Sequence, residues 1–170
     1  MITRDPPPKA PATGDLSNAG NVGDDFDLTS FFPYLVRVYY RAVSEAVSSV
    51  YSSLYNLSVS EWRTMAVLGP NRALSASEIV ERSSMDKVNV SRAIKGLRSA
   101  GFLKRDIDGD DRRRAVLRLT KDGINVFNAL TPKVCEVEQK LLKGLSAKEC
   151  ETLVRLMAQV QGNARNFELK

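Results

Sequence analysis

Between residues 85 and 121 the chain concentrates side chains that recognise negative charge. Drawn as a helix at roughly 100° per residue, Lys87, Val88, Ser91, Arg92 and Lys95 share one arc. Val90, Ala93, Ile94 and Leu97 occupy the other, as an apolar back should. A short-chained, basic front of this kind fits a major groove. Arg92 can reach guanine or phosphate, Ser91 and Lys87 phosphate, and Val88 a thymine methyl. Further on, Arg112, Arg113 and Arg114 follow Asp108-Gly109-Asp110-Asp111 at the turn of an expected hairpin. Adjacent arginines repel one another, and the enhanced negative potential of a narrow minor groove offsets that repulsion. Asp111 is expected to fix the wing, or an arginine of the recognition helix, by hydrogen bonds, because a carboxylate facing phosphates would cost binding. Alone, these features also describe a solvated helix face and a hairpin tip charged for solubility. The order of the surrounding elements favours the reading of double-stranded DNA.

Those elements can be placed from periodicity and caps. Residues 29–54 carry Leu35, Tyr39, Ala42, Ala46 and Val50 at steps of three and four, one helical stripe with Pro33 in its first turn. Ser58 to Leu68 is a second helix, around Trp62, Met65 and Ala66, closed by Gly69-Pro70-Asn71. Ser75 with Glu78 forms a capping box for a short third helix. Ser83 or Ser84 is expected to cap the fourth, the recognition helix, which ends at Ala100-Gly101. Phe102–Ile107 and Ala115–Leu119 are the wing strands, the second with Ala115, Leu117 and Leu119 on one face and Val116 and Arg118 on the other. Thr120 caps a long helix with Phe127, Leu130, Val134, Val137 and Leu141 in a stripe, interrupted and kinked by Pro132. Ser146 and Glu149 box the start of a last helix with Cys150, Leu153, Met157 and Val160 in line. The expected fold is mainly α with a small β-hairpin wing: a winged helix-turn-helix over about 58–120, between helices at 29–54 and 120–164.

Composition narrows the possibilities. The chain has 170 residues, 43% hydrophobic, and a net charge of +5 from 25 Lys+Arg against 20 Asp+Glu. That length suits one domain with a real core, and the balance favours a polyanionic partner. Residues 1–27, rich in proline and glycine and poor in large apolar side chains, read as a flexible arm. Histidine is absent and there are two cysteines, Cys135 and Cys150, so neither a Cys/His metal site nor a disulfide framework is expected. Both cysteines are expected on apolar C-terminal stripes and read as buried, inert thiols. No apolar run reaches membrane-spanning length and no signal core opens the chain, so a cytoplasmic protein without membrane contact is expected. Without a metal set, phosphate loop or nucleophile elbow, an enzyme is the weakest reading, and no cofactor is expected.

Across residues 28–165 the chain resembles the MarR family of bacterial winged helix-turn-helix transcriptional regulators. The likeness is carried by EWRTMAVL at 61–68, MDKVNVSRAIKGLRSAGFLKR at 85–105 and DDRRRAVLRLTKDG at 110–123. It implies a homodimer joined by the first and the two C-terminal helices, and a pseudo-palindromic operator. It matches Ser91, Arg92 and Lys95 to groove-facing positions, Arg113 to the wing-tip arginine of the minor groove, and Asp111 to the acid beside it. The apolar stripes of the outer helices point the same way, since exposed apolar surface marks association.

The resemblance further implies a ligand, because many members release DNA on binding a small aromatic acid or related molecule. Tyr34, Arg37, Tyr40, Arg41, Trp62 and Arg63 form an aromatic and cationic set suited to such an anion or its thioester. The competing reading makes Trp62 a core residue and the arginines intramolecular ion partners. Other members sense oxidants through a cysteine near the start of the first helix, where this chain has none. Two functions therefore compete: a ligand-released repressor, and an architectural or effector-free DNA-binding protein.

Overall fold

A computed structural model of the chain describes residues 26–70, 72–107 and 115–167. The described residues divide into two compact units between Ser49 and Val50, with the boundary inside the first helix. In the first unit, Asp27 accepts hydrogen bonds from the Thr29 amide and hydroxyl at 2.9 and 2.7 Å, just ahead of α1 (Phe32–Tyr55).

In the second unit, the rest of α1 leads to α2 (Val59–Leu68), α3 (Ala76–Ser83), α4 (Lys87–Ser99), β1 (Leu103–Ile107), β2 (Ala115–Leu119), α5 (Lys121–Leu141) and α6 (Ala147–Arg165). The serine boxes expected for α3 and α6 are formed, and Ser58 with Glu61 forms another for α2. Each satisfies amides that a helix start leaves without partners. The cap of α4 differs from expectation. Ser83 is buried inside α3, and Ser84 turns into the left-handed region at φ 53° to end that helix. Asp86 then caps α4, because only after this turn is the backbone extended again.

The core gathers on Met65, Leu68, Ile79, Leu97 and Leu130, all with no exposed surface. The hairpin pairs antiparallel from Leu103 with Leu119 to Ile107 with Ala115. Leu74 extends it by a two-way bridge: its amide donates to the Leu117 carbonyl at 3.2 Å and its carbonyl accepts from the Leu117 amide at 2.8 Å. Leu117 and Leu119 are buried as expected, but so is Val116, at 1% exposure. Helices α2 and α5 both pack against β2, so its second face is not left to solvent.

Three further expectations are corrected. Pro132 does not interrupt α5, which runs on to Leu141. Within one chain the cysteines are not buried: Cys135 is exposed and Cys150 intermediate. Cys135 lies off the apolar stripe, and α6 has no fully buried residue. No described helix is long and apolar enough to cross a membrane.

The base of the hairpin is joined to α5 by a tight junction. The Thr120 amide donates to the Phe102 carbonyl at 3.0 Å, and the Thr120 hydroxyl donates to the Gly101 carbonyl at 2.6 Å. The same hydroxyl accepts from the Gly123 amide at 3.1 Å and so caps α5. A Cβ on Gly123 would fall on the Phe102 carbonyl oxygen, with the carbonyl carbon 2.9 Å away. Backbone cannot swing aside as a side chain can. Gly123→Ala should therefore cost roughly 1–3 kcal/mol through overpacking, and Thr120→Val about 1 kcal/mol through the lost cap. Urea unfolding followed by circular dichroism measures both, and a Gly123→Ala protein as stable as the parent would show that the junction can open freely.

Candidate nucleic-acid interface

Helix α4 is built with two faces. Val90, Ala93 and Leu97 are buried and Ile94 is half-buried, while Lys87, Val88, Ser91, Arg92 and Lys95 are all exposed. The five residues expected to meet DNA therefore stand together on one solvent face, with Val88 57% exposed.

The N-terminus of this face is pinned by Asp86. Its carboxylate accepts from the Asn89 amide and from the Asn89 side-chain amide, each at 2.7 Å. The backbone bond from Asn89 holds the Asp86 carboxyl below its ordinary value of 3.8, and the Arg92 guanidinium adds to the effect. A depressed folded value means the cap is complete above the ordinary carboxylate range and is lost only as pH falls below it. Near neutrality the first turn of α4 is fully capped.

The cationic face extends past the residues found from sequence. Arg98 falls within the same arc of α4, one turn beyond Lys95 in the C-terminal direction. It shares a concave surface between α4 and β1 with Ser91, Lys95, Lys104 and Arg105. Lys104 is also paired with Asp106 at 3.3 Å. Helical period alone places Arg98 on this arc, in the last turn of α4. A deeper recess of about 530 Å³ adjoins this surface, with Val80, Ile94 and Leu117 among its apolar walls and Arg98 and Arg105 among its cations. Asp111, Arg112, Arg113 and Arg114 lie outside the described residues.

The expected effector residues divide between the units. Tyr34, Arg37, Tyr40 and Arg41 lie on one side of α1 in the first unit. Trp62 and Arg63 lie on α2 in the second unit and face different neighbours. Trp62 is half-buried and stacks on two rings, Tyr51 at 5.7 Å and Phe127 at 6.0 Å between centroids. Arg63 instead borders a shallow surface recess with Arg72 and Arg82.

A two-faced helix after a helical turn, followed by a hairpin that Leu74 bridges to the segment before α3, defines a winged helix-turn-helix. The MarR family model matches residues 55–114 of the chain. It is 30% identical over 111 residues to the HTH-type transcriptional regulator YwaE of Bacillus subtilis strain 168, covering 65% of each chain. The match thus spans just under two thirds of that relative's length. Two solved structures share the fold. The Bordetella bronchiseptica BpsR structure, which concerns regulation of DNA binding by 6-hydroxynicotinic acid, superposes with a TM-score of 0.72 at 20% identity, over 81% of this chain and 98% of that one. The S. aureus MepR–DNA complex does so with a TM-score of 0.69 at 21% identity, over 78% and 98%. The family and its relatives are regulators of transcription, not enzymes.

Arginines at two places on the face should behave differently. Arg92→Ala should cost about 1–3 kcal/mol and relax sequence preference, as loss of a base contact does. Arg98→Ala should weaken all duplexes alike and lower the salt slope by about one. Titrations of cognate and scrambled duplexes over a salt series separate the two. Equal loss on both duplexes for Arg92→Ala would make it a phosphate contact.

Proposed function

We propose that this protein is a sequence-specific transcriptional repressor that grips a pseudo-palindromic operator as a homodimer and lets go when a small aromatic acid or its thioester binds. The observation that carries the reading is the exposed, basic front of α4, set on an apolar back in which Val90, Ala93 and Leu97 are buried. Arg113 of the wing is assigned to the minor groove on sequence grounds, with Arg112 and Arg114 beside it and Asp111 fixing the wing. MepR, solved with DNA, and BpsR, whose DNA binding is regulated by an aromatic acid, support the two halves of the proposal.

The apolar surface of α6 supports the dimer. Val154, Met157 and Val160 are 67%, 50% and 41% exposed and fall on one stripe with Cys150 and Leu153. A single chain leaves this stripe in water, and a second copy would remove it. Footprinting tests the reading directly. A repressor protects one short palindrome, whereas an architectural protein protects whatever duplex it is given. A chain carrying both Leu153→Asp and Val160→Asp should be monomeric or unfolded and should lose the palindrome, since an unpaired buried charge costs several kcal/mol. A soluble dimer by light scattering would place the interface elsewhere.

The effector half rests on the aromatic and cationic residues of α1 and α2. Trp62 is the only tryptophan, so its fluorescence reports on binding near the Tyr51–Trp62–Phe127 stack. Benzoates, hydroxycinnamates and their thioesters would be titrated with and without operator. An effector should shift the emission and weaken operator binding, and operator should weaken the effector by the same factor. Arg37→Ala and Arg41→Ala should lose the ligand and keep DNA binding. Silence across the panel, or equal ligand affinity with and without operator, favours the effector-free alternative.

A further inference from the structure

Gly96 stands in the interior of the recognition helix, where alanine would be favoured by about 1 kcal/mol on propensity alone. Its place is taken by a carboxylate from another helix. A Cβ on Gly96 would fall on Glu61 Oε1, with Glu61 Cδ 3.1 Å and Cγ 3.7 Å away.

That carboxylate is not free to move. Its other oxygen, Oε2, accepts from the Ser58 amide at 2.8 Å and the Ser58 hydroxyl at 2.7 Å. The Ser58 hydroxyl in turn accepts from the Glu61 amide at 3.3 Å. One oxygen therefore closes the cap of α2 while the other rests against the backbone of α4. By helical period Gly96 lies on the flank between buried Ala93 and exposed Arg92, directly beneath the turn that carries Arg92.

The corner feeding α2 is equally constrained. Asn56 sits in the left-handed region at φ 52°, and Leu57 is buried at 4% exposure with its amide bonded to the Tyr51 carbonyl at 3.3 Å. Next to Glu61, Trp62 stacks on Tyr51 and Phe127. The start of α2 thus cannot rotate without either breaking the Ser58 box or displacing α4.

We infer that Glu61 is a positioning residue for DNA recognition: its carboxylate, held by Ser58, is the strut that sets the height and rotation of α4 through Gly96. This rests on the reading of α4 as the DNA-contacting helix. Its range is wider than stability, because the strut joins the Trp62 neighbourhood to the Arg92 turn through one side chain.

A double-mutant cycle tests it, with cognate and scrambled duplex affinities measured on the full chain and fraction folded checked by circular dichroism. In Gly96→Ala the new methyl competes with the carboxylate, and cognate affinity should fall about tenfold with a smaller loss on scrambled duplex. Glu61→Ala removes the strut and should also lower the cognate-to-scrambled ratio. In Glu61→Ala/Gly96→Ala the methyl has room, so the glycine substitution should add no further loss. Ser58→Ala removes one of the two bonds that hold the carboxylate and leaves the Ser58 amide to keep it in place, so its ratio should fall clearly less than that of Glu61→Ala. Should Gly96→Ala fail to fold, Glu61→Ala against Ser58→Ala decides the matter by the same ratio. Additive losses in the cycle, or equal ratios for Glu61→Ala and Ser58→Ala, overturn the inference. If Arg92→Ala still weakens cognate DNA in that case, the DNA-binding reading survives without the strut. If Arg92→Ala is silent as well, both fall.

Discussion

A backbone carbonyl pressed against a glycine holds this fold in register. The Phe102 carbonyl accepts the Thr120 amide and occupies the space where Gly123 would carry a side chain. The end of α4, the start of β1, the end of β2 and the start of α5 meet at this one place. Because Gly101 also accepts the Thr120 hydroxyl, the wing cannot slide along its strands without unmaking the cap of α5. The Leu74–Leu117 bridge then adds the segment before α3 to the same frame. Recognition helix and wing are fixed to each other by backbone, and side chains are left over for binding.

The recognition helix uses that freedom by dividing its labour. Burying Val90, Ala93 and Leu97 anchors it with apolar area, worth about 25 cal/mol per Å² removed from water, so the outer face needs no stabilising contacts of its own. Lys87, Ser91, Arg92, Lys95 and Arg98 can remain solvated until a polyanion arrives. On the proposed function, their desolvation is then offset by release of counterions from the duplex. The same logic explains the cap: Asp86 is spent on backbone amides, so its negative charge serves α4 instead of opposing DNA.

Rigidity on one side and exposure on the other also shape the outer helices. Trp62, stacked between the end of α1 and α5, ties α2 to both within the second unit. Helix α6 has no fully buried residue, and Val154, Met157 and Val160 of its apolar stripe are exposed. An exposed stripe of that length favours association over a solitary life in water.

Much of this was legible in the residues themselves. Helical and strand periods, the Ser75–Glu78 and Ser146–Glu149 boxes and the Thr120 cap are local, set by contacts within four residues, and so the elements and the solvent-facing arc of α4 follow from sequence. Where a choice depended on neighbours from elsewhere in the chain, local reasoning failed. Ser83 could not cap α4 because packing buried it, and Ser84 was taken up in a left-handed turn. Val116 looks solvent-facing by alternation, yet α2 and α5 enclose its strand. Cys135 reads as apolar by residue type but stands exposed in the single chain. Trp62 and Arg63, adjacent in sequence, were separated by the helix itself, one toward two rings and the other toward Arg72 and Arg82. The two glycines that matter most, Gly96 and Gly123, are silent in composition. Only the tertiary structure shows that one leaves room for a carboxylate and the other for a carbonyl, because a missing Cβ has meaning only in terms of the atom that takes its place.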